Sequence, residues 1–316
     1  MSHTQSSTSR TGISAALPSG RRRRSRLGEK AIEGVILANG LTAIVVLIGV
    51  LFLLLRTGLP VFTHTPPWDF FLGTKWYPVS EPPTFGIMPF FVATLWVSGV
   101  STALAVPIGV ACAAYLAEVA PPTVRETVKP IIEILAGIPS VVMGFIGLSL
   151  LSPYVQSLFN LNTGLCGLTA AIMLSLMSLP VIVSVSEDAL RAVPNSFREA
   201  SYALGATKWE TIIHVCIPGA ISGIAAAVML GVGRAIGETM TVLMVAGGAL
   251  AVPASPTAPM MPMTAAIASG IGNAVRGGPQ YQALFAIGII LFVMTLIVNL
   301  IADRVLQQQK RKFSRT

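Results

Sequence analysis

Charge is what this chain has least of: 11% of its 316 residues are Asp, Glu, Lys or Arg, where a soluble domain carries about a quarter. With 53% hydrophobic residues and a mean hydropathy of +0.75, a soluble globular protein is excluded and a membrane protein implied. Cysteine and histidine are equally scarce. Cys112, Cys166 and Cys216 show no C-x-x-C or mixed Cys/His spacing, and His3, His64 and His214 are scattered, so no metal or redox centre is expected. The cysteines read as packing residues. No Ser/His/Asp or paired-carboxylate constellation points to an enzyme, and the adjacent Glu187 and Asp188 read as solvated at a span end. A G-x-x-x-x-G-K-[ST] phosphate loop is also missing, so the chain itself is not expected to hydrolyse ATP or hold a cofactor. The glycines at 231, 233 and 237 miss the dinucleotide-binding spacing, and Gly233-x-x-x-Gly237 reads as a small-residue face for helix packing.

What is present is long apolar runs with basic residues between them. The net charge of +8 is spread over the ends and short loops, which is the pattern of membrane topology and not of a nucleic-acid-binding face. At about 20 apolar residues per crossing, six spans are expected: 34–55, 88–116, 130–151, 166–186, 220–248 and 283–302. Pro107, Pro139 and Pro180 fall inside them, as membrane helices tolerate. Arg21 to Arg24, Lys30, Arg125, Lys129, Arg191, Arg198, Lys208, Arg304 and Lys310 to Lys312 share one side, against Arg56, Lys75 and Arg276 on the other. The positive-inside rule therefore puts both termini in the cytoplasm. Residues 1–33 read as a basic, disordered tail and 304–316 as a second basic tail, flanking a six-helix membrane domain at 34–303. The run from Gly34 to Leu55 is too long for a signal peptide and is expected to remain as an anchor. In the first external loop Trp68, Trp76 and Tyr77 read as an interfacial aromatic belt, with docking of an external partner as a second reading.

The cytoplasmic loop at about 187–218 is more patterned than a connector. Ser196-x-x-Glu199 and Thr207-x-x-Glu210 fit capping boxes, and Gly205 between them suits a left-handed helix terminus. Two short helices joined by a tight turn are predicted, with Pro218 near the start of span five. A purely local reading makes Glu199 a cap and Gly205 a stop. Yet Glu199-Ala200-Ser201, three residues, Gly205, nine residues, then Val215-x-Ile217-Pro218 resembles the cytoplasmic coupling motif of ABC importer permeases. That pattern reads E-A-A, three, G, nine, I-x-L-P; this chain departs from it at Ser201, Val215 and Ile217.

Arg234 and Glu238 interrupt span five about 20 Å from its start, at about 1.5 Å per residue. A central arginine costs roughly 2.5–3.5 kcal/mol on insertion scales, so such residues face a bundle interior or wet cavity. One reading is a self-neutralising i,i+4 ion pair that fixes packing. The other is a polar face with Thr239 and Thr241, in which Arg234 offers forked donors suited to a tetrahedral oxyanion.

"GRAIGETM" in span five, "KPIIEILAGIPSVVMGF" opening span three and the coupling loop together resemble the PstC family of phosphate permease subunits in bacterial ABC importers. The resemblance runs from about residue 30 to 305. It implies an all-α membrane protein of the type I ABC importer permease fold in the inner membrane, with inorganic phosphate as cargo. It also implies three partners: a homologous PstA-like permease, a PstB-like ATPase dimer carrying ATP and Mg, and a periplasmic or lipid-anchored PstS-like phosphate-binding protein. Arg234, Glu238, Glu133 and Thr239 become candidates for the substrate path, and Ser140 a weaker one. Glu199, Ala200, Ser201, Gly205 and Pro218 become candidates for coupling to the ATPase. Glu133 has a plainer reading as a first-turn acid favoured by the helix dipole. Rival functions are a permease for molybdate, sulfate or phosphonate, an ion-coupled secondary transporter with paired broken helices, and a non-transporting membrane scaffold.

Overall fold

The computed structural model describes residues 19–313, and side chains for 32–301, Asp303, Arg304 and Gln307. The parts of the expected tails at 1–18 and 314–316 lie outside the described residues. The chain divides into two units at Leu53/Leu54. Helix α1 (Ser19–Gly58) makes up the described part of the first unit and its last turn opens the second, so helix already covers residues 19–33 of the segment expected as a tail.

In the second unit the loop expected to be external folds into α2 (Pro67–Leu72) and a two-stranded hairpin, β1 (Trp76–Tyr77) with β2 (Thr84–Phe85), paired antiparallel. Trp68 and Tyr77 are exposed, but Trp76 is buried edge-on against Phe85 and Phe90, so it belongs to the core and not to an interfacial belt. Its indole closes a cluster with Val61, Phe70, Leu284 and Ile287.

Helix α3 (Met88–Ala114) continues through a π-type turn at Tyr115–Val119, and α4 (Pro122–Ala136) follows. The third span was expected to begin at residue 130; it begins at Ser140. Pro139 lacks the N–H of a continuing helix and disfavours helical backbone at Ile138, so α4 closes with Gly137 and Ile138 donating to Ile134 and Leu135 carbonyls. Helix α5 (Ser140–Ile146) starts anew with Pro139 at its N-cap, passes a π-type turn at Gly147–Leu151 and runs on as α6 (Ser152–Phe159). Pro139 therefore breaks its helix, whereas Pro107 and Pro180 leave theirs intact, the first within α3 and the second within α7 (Gly167–Arg191).

α7 is the central element, packed on α3, α4 and the fifth span. After it come α8 (Asn195–Ala203), α9 (Lys208–Thr211), a π-type turn at Ile212–Cys216 and α10 (Ile217–Gly219). A bend of 71° at Ala220 leads into α11 (Ile221–Gly237), so Pro218 does lie at the start of span five. The expected continuous helix to 248 is broken at Glu238. α11 ends at Gly237 and α12 (Met240–Val245) resumes after two residues; Gly247 and Gly248 then turn the chain at φ +93° and +68°. α13 (Met263–Ile271) and α14 (Pro279–Phe313) complete the chain. Among the described residues five helices are long and apolar enough to cross a membrane, or six when the bent pair at Ala220 counts as one span.

Candidate functional site

The break in span five is built from weak helix formers. Gly233 and Gly237 each lower helix stability by about 1 kcal/mol relative to alanine, and Glu238 leaves the helical region at ψ 132°. A helix interrupted inside a membrane must have its freed groups satisfied by neighbours. Here the Thr264 hydroxyl donates to the Glu238 carbonyl at 2.8 Å, and the Thr241 N–H donates to Glu238 Oε1 at 3.4 Å. The Thr239 hydroxyl donates to the Gly237 carbonyl at 3.3 Å. The break is thus a supported feature, with α13 supplying one partner.

It meets the break at Pro139. Thr241 Oγ1 donates to the Ser140 carbonyl at 2.9 Å, at the first residue of α5. A side-chain carbon at Gly144 would lie 2.7 Å from Met244 Sδ, so these two half-helices approach as closely as glycine allows. Ser140 contributes its backbone to this junction. Gly223 and Gly231 are the glycines of α11 that serve packing on α7: a Cβ at the first would run into Ala189 and at the second would stand 2.7 Å from Ile182. Gly233 and Gly237 are exposed with nothing within 4 Å of an added Cβ, so the expected Gly233-x-x-x-Gly237 face has no partner among the described residues.

Arg234 lies in the last turn of α11, half-buried. The ion pairs among the described residues join Lys129 to Glu187 and Asp188, Arg191 to Glu187, and Arg198 to Glu118; neither Arg234 nor Glu238 takes part. An i,i+4 pair needs both residues on one continuous helix, and the break removes Glu238 from it. Glu238 serves the start of α12 instead, leaving the Arg234 guanidinium without a carboxylate. Thr239 is half-buried beside it in the chain.

Glu133 stands on the other side of the Pro139 break from Ser140. It lies in the last turn of α4 and is exposed, so the first-turn dipole reading does not apply. Its neighbour Lys129 reaches the end of α7, with Nζ 2.6 Å from Glu187 Oε2 and 2.7 Å from Asp188 Oδ1. Glu187 was expected to be solvated; it is 1% exposed, and Arg191 Nη1 stands 3.5 Å from its other oxygen. Two carboxylates, Asp188 first, hold the Lys129 ammonium pKa above its usual value.

The loop after α7 folds as two short helices. Gly205 has φ +84° between them, and Thr207 with Glu210 forms the full reciprocal capping box that starts α9. The Ser196-x-x-Glu199 box does not form, because Pro194 occupies the N-cap and α8 starts one residue before Ser196. Glu199 and Ala200 are exposed, together with Phe197, Tyr202 and Leu204. Ser201 turns inward and shares a hydrogen bond of 2.9 Å with Thr211 Oγ1, tying α8 to α9. Sequence reasoning counted Arg198 only among the basic residues that set topology and passed over Glu118, yet their ion pair at 2.6 Å is largely buried. Their separation of 80 residues along the chain left no pattern to find.

Comparison with known proteins places this architecture. The chain is 39% identical over 235 residues to "Probable ABC transporter permease protein YqgH" of Bacillus subtilis, covering 74% of this chain and 76% of that protein. It is 36% identical to "Phosphate transport system permease protein PstC" of Mesorhizobium japonicum, over 76% of this chain and 79% of the relative. A solved bacterial alginate ABC transporter matches the fold with a TM-score of 0.61 at 18% identity, over 88% of this chain and 95% of the matched one. Residues 105–313 match the family described as "Binding-protein-dependent transport system inner membrane component". The coupling-type loop, the broken spans and these likenesses converge: the chain belongs to the binding-protein-dependent transport system inner membrane component family, as a non-catalytic permease subunit of an ABC transporter.

Proposed function

We propose that this permease subunit imports inorganic phosphate, with Arg234 on the substrate path. The observation that carries the reading is the break at Glu238, which leaves a half-buried guanidinium in the last turn of α11 without a carboxylate partner among the described residues. A forked cation of this kind suits a tetrahedral oxyanion. Similarity to relatives named as phosphate transport permeases supports the choice of phosphate over molybdate, sulfate or phosphonate. Glu238 and Thr239 shape the break, and Glu238 limits how tightly an anion is held beside Arg234. Glu133, exposed at the end of α4, belongs at a cytoplasmic approach and not at the anion itself.

The partners are a homologous PstA-like permease, a PstB-like ATPase dimer and a PstS-like phosphate-binding protein. Both termini and the α8–α9 elbow face the cytoplasm, where Glu199 and Ala200 meet the ATPase. Ser201, Gly205 and Pro218 set the elbow's shape. The test is radiolabelled phosphate uptake in cells that depend on this permease, at matched membrane abundance. Arg234→Gln is expected to reduce uptake at least about tenfold, the loss of one charge-assisted contact, while the ATPase still copurifies. Unchanged uptake would make Arg234 a packing residue.

A further inference from the structure

Arg198 stands next to Glu199 in the chain but faces the opposite way. Glu199 is exposed, whereas the Arg198 side chain is 14% exposed and that of its partner Glu118 is 8% exposed. The guanidinium is shared among three elements. Nη2 donates to Glu118 Oε1 at 2.6 Å and Nε to Glu118 Oε2 at 3.1 Å, a forked grip on the π-type turn that ends α3. Nη2 also donates to the Leu190 carbonyl at 2.9 Å, and Nη1 to the Val193 carbonyl at 2.5 Å and Asn195 Oδ1 at 3.2 Å. Leu190 is in the last turn of α7, where carbonyls have no partner within the helix. One side chain of α8 therefore caps α7 and grips α3. Leu116, Leu190, Val193, Ile212 and Cys216, all buried, belong to one apolar cluster at the same end of the helices.

We infer that Arg198 is a positioning residue for energy coupling, the rigid link by which a displacement of α8 moves the ends of α3 and α7 together. The inference rests on the reading that the exposed face of α8 docks the ATPase. Apolar contacts let one helix slide over another, but a guanidinium bonded to a carboxylate and two carbonyls fixes both distance and direction. α3 and α7 pack along their lengths, and α11 packs on both, so a shift delivered at their shared end reaches the element that carries Arg234. Among the described residues α8 makes no other ion pair.

The test uses the assembled transporter in vesicles, with its second permease, ATPase and binding protein, and reads phosphate transported per ATP hydrolysed. Arg198→Lys keeps the charge but loses the fork, and Glu118→Gln keeps the shape but loses the charge. Both are expected to lower the ratio about tenfold, within the range of coupling energies, while the ATPase remains bound and hydrolyses ATP. An unchanged ratio in either variant would overturn the inference. So would reduced assembly with a normal ratio in the complexes that form, the signature of a merely structural role. Glu199→Ala with Leu204→Ala separates the two claims: ATPase release supports docking at α8, and retention removes the docking reading and the link built on it.

Discussion

Arg234, Glu187 and Arg198 show how burial alone assigns a charged side chain to different work. Arg198 is enclosed with a carboxylate, Glu187 is enclosed with a lysine, and Arg234 is half-enclosed with neither. Breaking a buried pair from one side leaves an uncompensated charge, which costs about 3–5 kcal/mol when both partners are buried. Lys129 keeps 29% of its side chain exposed, so Lys129→Met is expected to cost less, about 1–3 kcal/mol, read as a lower midpoint in thermal unfolding of the detergent-solubilised protein. The pH dependence has a definite sign. The pairing raises the pKa of Lys129, which lies in α4 outside the apolar spans, so its stabilisation is complete below the unfolded lysine value of about 10.4 and disappears as pH rises through the raised folded value. The difference between the parent and Lys129→Met is therefore expected to stay constant from neutral pH to about 9 and to close only in stronger alkali. A difference that closed by about pH 8 would show that Lys129 is not the titrating partner.

At the scale of elements, the elbow between α8 and α9 depends on backbone geometry. Gly205 has φ +84° and nothing within 4 Å of an added Cβ, so any penalty for a side chain there comes from the left-handed backbone. Gly205→Ala is expected to cost about 1–2 kcal/mol, and Gly205→Asn less, since asparagine visits that region more readily. In membranes carrying equal amounts of permease, retention of the ATPase should fall in the order Gly, Asn, Ala. Equal retention by the alanine variant would mean that the elbow's shape is set elsewhere. The elbow was legible in the sequence because Gly205 and the Thr207–Glu210 box are local signals. The Ser196–Glu199 box was misread because Pro194 starts α8 earlier. The third span was misplaced for a related reason: the apolar count over 130–151 ran through Pro139 without weighing the restriction it imposes on Ile138.

At the scale of the molecule, the fold sets an α8–α9 end against an end that holds the β1–β2 hairpin. Val79, 91% exposed beside the hairpin, and Leu204, 90% exposed after α8, are suited to reporting orientation. In cells, a cysteine introduced at Val79 is expected to react with a membrane-impermeant thiol reagent from outside, and one at Leu204 only after permeabilisation. The native cysteines, two buried and one half-buried, give a low background. Labelling of both sites from the same side would overturn the assignment of α8 to the cytoplasm.

Composition, apolar run length and the coupling-loop pattern were enough to determine the class of protein, the order of its spans and its kinship, because burial in lipid and local turn chemistry act on neighbouring residues. The support that holds the break at Glu238, the burial of Trp76, the enclosure of Glu187 and the grip of Arg198 on Glu118 were decided only by tertiary structure. Each depends on groups distant along the chain: Thr264 offers its hydroxyl to the Glu238 carbonyl from 26 residues away, and Lys129 meets Glu187 from 58 residues away. A helix ends where another element can satisfy its freed backbone, and a charge can be enclosed where a partner is delivered to it. Both conditions are set by packing.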